Sequence, residues 1–360
     1  MERDDILLRV SHLCKYFKVG KDEFRALDDV SFDVKRGEVF GLVGESGCGK
    51  TTMGRTIIKL YDATSGEVWL DGVRISAGAR GYREAIKAAR KNYREELARA
   101  GNDTERRRLK YELERTITEN RNAIRSAHRD NRQKSDISSR IQMIFQDPTA
   151  SLDPRMTVRE IIAEGLKIKG ERDRKTIDEK VYKTLETVGL LEGHAGRYPH
   201  EFSGGQRQRI GIARAIIMEP QMIIADEPVS ALDVSVQAQV INLLDGLRKS
   251  LGLTVLFIAH DLSVVKYFSD RIGVMYLGKL VELAESDELF SNPLHPYTRS
   301  LLSAIPLPDP IYEKNRKRII YEPEKVHDYS KEKPSFREIS DGHYVMCSDT
   351  EYEAYRRTVT

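Results

Sequence analysis

The chain has 360 residues, 40% hydrophobic and 32% charged, a length for about two domains and a composition that excludes fibrous and wholly disordered proteins. Its longest apolar runs, such as Met222 to Ala225 and Thr254 to Ala259, fall far short of the roughly 20 residues of a membrane-spanning helix. Lys and Arg total 59 against 56 acids, but residues 80 to 137 alone hold 17 bases and 10 acids, so the basic surplus sits in one segment and argues poorly for a nucleic-acid-binding fold.

Residues 6 to 10 and 31 to 36 suit short strands, with a turn-prone region from Gly20 to Glu23. Val39 to Val43 has the character of a buried strand and runs into a glycine-rich loop, after which Thr52 to Leu60 allows a helix. Glu67 to Leu70 predicts another strand, ended by the turn pair Asp71-Gly72. From Arg80 to about Ser135, Tyr82, Ile86, Ala89, Tyr93 and Leu97 recur at helical spacing. Leu109, Leu113, Ile117, Ile124 and Ala127 do the same after Gly101-Asn102. The pattern predicts two long amphipathic helices in an antiparallel hairpin, thinly hydrophobic and projecting from its domain.

A strand follows at Ile141 to Phe145, then Gln146 to Thr157, whose prolines and polar residues predict no regular structure. Helices are expected at 157 to 168, 175 to 188 and 206 to 218. Met222 to Asp226 and Thr254 to Ala259 suit parallel strands, with a crossover helix from Val234 to Lys249 between them. Arg271 to Tyr276 and Lys279 to Leu283 form a late hairpin around Gly278. From Pro293 onward, Pro296, Pro306, Pro308 and Pro310 punctuate a short helix near 297 to 304, and a polar tail follows that only packing on the main body or a partner could order.

The segment Gly44-Glu45-Ser46-Gly47-Cys48-Gly49-Lys50-Thr51-Thr52 meets every fixed position of G-x-x-x-x-G-K-[ST], between a strand and a helix. Glycines let successive N–H groups converge on one phosphate, and the helix N-terminus adds positive potential. Lys50 is placed to reach the β- and γ-phosphates and Thr51 to ligate Mg²⁺, while Cys48 is a small filler. The strand Met222 to Asp226 delivers Asp226 towards the metal, and Glu227 one residue later is placed to polarise a water attacking the γ-phosphorus. An α/β fold follows, with a P-loop nucleotide-binding core and some antiparallel sheet attached.

Phe202-Ser203-Gly204-Gly205-Gln206 then resembles the signature of ATP-binding-cassette transporter ATPases, with Phe202 where the family usually has Leu. The resemblance implies an antiparallel β subdomain and a helical signature subdomain around the P-loop core. It implies that Ser203, Gly204, Gly205 and Gln206 contact ATP held by an opposite subunit, in a head-to-tail pair. Gln146 looks like the glutamine that senses Mg²⁺ and the attacking water, and Ser230 to Asp233 like the loop that communicates across the nucleotide interface. His260 looks like the switch histidine at the γ-phosphate, and Phe17 or adjacent Tyr16 like the aromatic that stacks on adenine. Either aromatic could instead be an ordinary core or edge-strand side chain.

The stretches from Gln146 to Met156, Tyr198 to Ala215, Ala225 to Val240 and His295 to Pro310 resemble the dipeptide, oligopeptide and nickel importer subgroup, most closely its second (F-type) oligopeptide ATP-binding subunit. That resemblance implies ATP and Mg²⁺ as ligands, a second ATPase subunit in a heterodimer, two transmembrane permeases and an extracellular peptide-binding protein. It places the chain peripherally on the cytoplasmic face of the membrane, with no direct contact to nucleic acid. Acids in the opening MERDDILLRV, with no long apolar stretch behind them, predict no secretory signal. Cys14, Cys48 and Cys347 have no paired spacing, which predicts neither disulfides nor, with Cys347 alone in the tail, the iron–sulfur cluster of some relatives. Domain boundaries are expected at 1 to 292 for the cassette, with 80 to 135 as an inserted charged helical hairpin and 147 to 218 as the helical subdomain, and at 293 to 360 for a C-terminal extension. The competing reading is a non-transport ATPase of the same fold acting on a ribosomal or nucleic-acid complex; such relatives usually carry two cassettes or larger insertions.

Overall fold

The computed structural model describes residues 5–132, 137–305 and 319–359. The chain divides into two units, one made of Met1–Asp33 and Arg55–Ile137, the other of Val34–Gly54 and Ser138–Thr360. Pro306, Pro308 and Pro310, the end of the 295 to 310 segment, and positions 133 to 135 of the hairpin lie outside the described residues.

The first unit holds a four-stranded sheet in the order β2-β1-β4-β5, built from β1 (Ile6–Val19), β2 (Asp22–Lys35), β4 (Ser65–Leu70) and β5 (Val73–Ala77). The first two strands are each 14 residues long, well beyond the short strands that composition suggests. Their polar and charged residues occupy half-buried and exposed positions, while apolar residues such as Leu8, Val10, Leu13, Leu27, Val30 and Val34 are sealed in the interior. A one-faced strand dilutes its apolar signal to every second residue, and here an irregularity between Ser11 and Cys14 breaks even that alternation. The helix after the phosphate loop spans Lys50–Ile57 and stops at Lys59, whose φ is +62°.

Helices Arg80–Leu97 and Asp103–Arg132 form the expected antiparallel pair. All five predicted stripe residues of the first helix are half-buried, as are Leu109, Leu113, Ile117 and Ile124, and Ala127 is fully buried. The base of this hairpin is more than a hinge. Arg74 of β5 donates to Asp130 (2.9 Å), Ser126 (2.7 Å) and Glu67 (2.6 Å), Tyr82 donates to Glu67 (2.8 Å), and Lys59 donates to the Asp130 carbonyl (2.7 Å). Burial alone would raise the Glu67 carboxyl, but the Tyr82 and Arg74 hydrogen bonds outweigh it and hold the group below its usual range.

The second unit carries an eight-stranded sheet in the order β11-β12-β10-β9-β3-β8-β7-β6. Its parallel part comprises β3 (Val39–Val43), β6 (Ile141–Ile144), β7 (Met222–Asp226), β8 (Thr254–Ile258) and β9 (Arg271–Tyr276). Strands β3, β7 and β8 are buried at every position, as sheets covered on both faces require. Helices Val158–Ile168, Arg174–Thr187, Gly204–Ile216 and Val234–Leu251 lie close to expectation and add their apolar faces to one large core. The expectation of no regular structure from Gln146 to Thr157 fails at Pro148–Ser151, which forms one helical turn. Pro148 takes the first position, where its missing N–H costs nothing, and Asp147 caps the turn by accepting from Thr149 and Ala150.

The described part of the tail is ordered by packing on the body of its own unit. Strand β10 (Lys279–Glu285) pairs antiparallel with β9 and with β12 (His343–Cys347), and β11 (Ser335–Ser340) closes the edge. A helix at Asp349–Val359 and a small core of Leu294, Ile339, Val345 and Cys347 complete the extension. Within it, burial, then His327 and Arg299, push the His295 imidazole down to about 3.

Two predictions follow from these anchors. Replacing residues 90 to 110 by a short Gly/Ser bridge should leave the midpoint of thermal unfolding within about 2 °C, whereas Asp130→Ala should cost about 1–3 kcal/mol by denaturant titration, because it removes one of the two carboxylates paired with the Arg74 guanidinium. The unfolded His295 binds a proton below about pH 6.5 and the folded one does not, so stability contributed by the extension should be complete above that value and decline as pH falls towards 3. Hydrogen exchange over residues 319–359 at pH 7 and pH 5 measures it; equal protection at both would refute the burial of a neutral ring.

Candidate functional site

Parallel pairing aligns the carboxyl ends of four strands. Leu42 and Asp226 both register with Ile258, and Ile144 registers with Ala225, so Gly44, Gln146, Glu227 and His260 all leave the sheet at one edge. In parallel α/β sheets this edge is where ligands bind.

The loop between β3 and the helix Lys50–Ile57 is tightly seated. Gly44 has φ +150°, and a Cβ there would lie 2.2 Å from the Met275 carbonyl oxygen, so no other residue fits. Lys50 is only 4% exposed, and its ammonium donates to the carbonyls of Gly44 (2.7 Å) and Glu45 (3.0 Å). Cys48 is buried, which pushes its thiol above the usual range despite the Lys50 charge, so it is inert filling here. Two contacts that the sequence did not signal hold the loop from outside: Gly278 N–H donates to the Cys48 carbonyl (2.9 Å), and Glu45 N–H donates to the Tyr297 hydroxyl (3.1 Å).

Thr51 donates its hydroxyl to Asp226 Oδ1 at 2.9 Å, although 175 residues separate them, and Asp226 is 1% exposed. A hydroxyl and a buried carboxylate converging beside a phosphate-type loop are the hard oxygen donors that suit Mg²⁺. Next to them, Gln146 Nε2 donates to Glu227 Oε2 (2.8 Å), and His260 Nδ1 lies 3.3 Å from the same oxygen. Glu227 has φ +47°, a strained value for a residue with a side chain, and its N–H is tied to the Ile258 carbonyl (2.8 Å). That strain aims its carboxylate between Gln146 and His260 rather than along the strand.

The remaining candidates are engaged elsewhere. Ser203 and Gln206 cap the helix Gly204–Ile216 reciprocally, and Phe202 is buried with its ring 5.3 Å from that of His194, the apolar role a leucine would fill. Gly205 is pressed against the next helix, where a Cβ would meet Val236 at 2.5 Å; Gly204 faces Leu232. Tyr16 and Phe17 belong to the antiparallel unit. Tyr16 is committed, donating to Asp28 (2.6 Å) with the guanidinium groups of Arg25 and Arg80 over its ring, whereas Phe17 meets Tyr61 edge-on and has the Lys15 ammonium 4.8 Å from its ring centroid. Phe17, with no hydroxyl to tie it, is the less committed of the two. Ser46, Gly47, Gly49 and Thr52 stay within the loop and the first turn of its helix.

Comparison with known proteins agrees with this geometry. Residues 27–105 and 111–230 match the ABC transporter family, and residues 281–338 match the oligopeptide/dipeptide transporter C-terminal region. The chain is 52% identical over 351 residues to the oligopeptide transport ATP-binding protein OppF of Bacillus subtilis, covering 97% of this chain and 98% of that one. It is 44% identical over 358 residues to the dipeptide transport ATP-binding protein DppF of Lactococcus lactis, covering 98% of each. Among solved structures, the ATP-binding cassette MJ0796, a dimer in a post-hydrolysis state with ADP and Pi, matches with a TM-score of 0.57 at 26% identity, over 78% of this chain and 99% of that one. Matches of 351 and 358 residues leave no room for an unmatched segment of some 55 residues, so both run through residues 80–135 and the extension.

Gly44→Ala should disorder the loop, because both the φ value and the Met275 carbonyl forbid a Cβ. The expected result is a drop in the thermal midpoint of several degrees, with loss of protection from proteolysis between residues 44 and 50, while Gly47→Ala, where the space is open, does less.

Proposed function

Because this chain belongs to the ABC-transporter ATPases, in their oligopeptide/dipeptide importer branch, we propose how its residues divide the work of the ATP hydrolysis that powers peptide import. The observation that carries the reading is the meeting of Thr51 with Asp226 and of Gln146 and His260 with Glu227 at one sheet edge. Amides of Gly44 to Thr52 cradle the phosphates, and Lys50 leaves its two carbonyl acceptors for the more negative β- and γ-oxygens. Thr51, Asp226 and Gln146 would hold Mg²⁺, which would neutralise phosphate charge. Glu227 accepts a hydrogen bond from the water that attacks the γ-phosphorus, and Gln146 and His260 fix the direction of its carboxylate.

Phe17, rather than Tyr16, offers the adenine-stacking face. Ser203, Gly204, Gly205 and Gln206 present a helix N-terminus to the nucleotide of a second ATPase subunit, packed head to tail. In this reading the partners are that subunit, two transmembrane permeases and an extracellular peptide-binding protein, and the chain works at the cytoplasmic face of the membrane. Among the described residues no helix is long and apolar enough to cross a membrane, so spanning falls to the permeases. The cassette runs over residues 1 to 292, with 80 to 135 as the inserted hairpin and 147 to 218 as the helical subdomain, and the extension over 293 to 360.

Lys50→Ala should abolish productive ATP binding, since it removes the charge from the cradle. Glu227→Gln should bind ATP normally and slow single-turnover hydrolysis by at least about a hundredfold, because it keeps shape and loses the carboxylate. Normal turnover in Glu227→Gln would remove its assigned role. In the assembled transporter, cross-linkers placed between residues 147 and 165 should capture a permease, for Gln146 joins the Glu227 cluster to that surface; capture confined to residues 80 to 132 would overturn this docking face.

A further inference from the structure

The phosphate loop is gripped by a residue far from its own motif. Glu45 N–H donates to the hydroxyl of Tyr297, the largest fully buried side chain in the described chain, 252 positions away. The same peptide unit presents its other end, the Gly44 carbonyl, to the Lys50 ammonium at 2.7 Å. A peptide unit is planar and its N–H and C=O point in opposite directions, so fixing one end fixes the other. Tyr297 therefore sets the orientation of the carbonyl on which the phosphate-binding lysine rests.

Tyr297 is itself tightly placed. Glu282 of β10 is fully buried, and its carboxylate accepts from Leu294 N–H (2.7 Å) and His295 N–H (3.1 Å) and pairs with His343 Nε2 (2.8 Å) of β12. His295 in turn accepts the Tyr297 N–H at 3.1 Å, capping the helix Pro296–Ser303. Hydrogen bonds that start in the last strand of the extension thus fix the Tyr297 backbone, and its buried ring carries the hydroxyl from there to the loop.

We propose that Tyr297 is a positioning residue for nucleotide: it holds the Gly44–Glu45 peptide so that the loop and Lys50 are preorganised for phosphate. The proposal rests on the nucleotide-site reading above and adds that the C-terminal extension sets the affinity of that site. A fixed loop spends no binding energy on ordering itself, so removing the grip weakens binding more than turnover.

The test uses the full-length chain, wild type, Tyr297→Phe and Lys50→Ala, with Mg²⁺ and a fluorescent ATP analogue and with ADP. Tyr297→Phe keeps the ring and loses the acceptor. Affinity for both nucleotides should fall about three- to tenfold, the span expected for one neutral hydrogen bond, with the thermal midpoint within about 3 °C. In the assembled transporter KM for ATP should rise by the same factor while kcat stays within about twofold. Unchanged affinity in Tyr297→Phe beside lost affinity in Lys50→Ala overturns this proposal alone; unchanged affinity in Lys50→Ala overturns the site reading beneath it. Hydrogen exchange at the Glu45 amide gives a measurement independent of nucleotide. Protection in the wild-type chain that Tyr297→Phe reduces at least about tenfold supports the grip, and wild-type exchange as fast as an open loop amide refutes it.

Discussion

A parallel sheet delivers the carboxyl end of every strand to one edge, and the polar residues of this site depend on that constraint. The strands themselves are dry: β3, β7 and β8 bury every residue, so no polar group can leave the sheet until its end. Asp226 sits at that boundary, buried to 1%, and a carboxylate there needs donors close by. Thr51 supplies one because the loop leaving β3 enters its helix two strands from β7, with β8 between them. Sliding β7 by a single residue would turn Asp226 to the opposite face and take its carboxylate away from Thr51. Register is thus the condition for the Thr51–Asp226 pair, and the buried Val, Ile and Leu of these strands are what fix it.

Local motifs were the most legible part of the sequence. The spacing from Gly44 to Thr51 is a local steric requirement, and four- to six-residue apolar runs such as Met222 to Asp226 can only be buried strands in this context. The amphipathic stripe of the hairpin was equally plain, since Tyr82, Ile86, Ala89, Tyr93 and Leu97 recur at helical spacing and are all half-buried. Strands β1 and β2 were seen at a fraction of their length because their outer faces are polar. Strands β11 and β12 were not seen at all. Ser335 to Ser340 carries only Phe336 and Ile339 as apolar residues, and an edge strand that is covered on one side needs no more. Contacts across long stretches of chain left no trace: nothing near Glu45 announces Tyr297, and nothing near Arg74 announces Asp130.

Polar anchors, not apolar area, define how the two added segments are attached. The hairpin buries little, but Asp130, Ser126 and Tyr82 neutralise or satisfy Arg74 and Glu67 at its base, so its last turns belong to the antiparallel sheet while its tip remains a charged, solvated rod. A segment attached that way can vary in length without disturbing the sheet, whereas its final two turns cannot. The boundary between what is appended and what is built in therefore falls inside the helix Asp103–Arg132, where its half-buried stripe gives way to the fully buried Ala127.

The extension is attached by the opposite logic. It prolongs the sheet that carries the catalytic edge, and Glu282 is the point of union: a fully buried carboxylate shared among β10, β12 through His343, and the chain entering the helix Pro296–Ser303. An isolated charge at that depth would be costly, so the three donors and the carboxylate are mutually obligatory and the strand cannot be ordered without the helix. The helix places Tyr297 against the phosphate loop. Order in the last strands is consequently coupled to order at Glu45 through these hydrogen bonds, and the extension acts on the nucleotide edge as part of the same sheet rather than as a tail beside it.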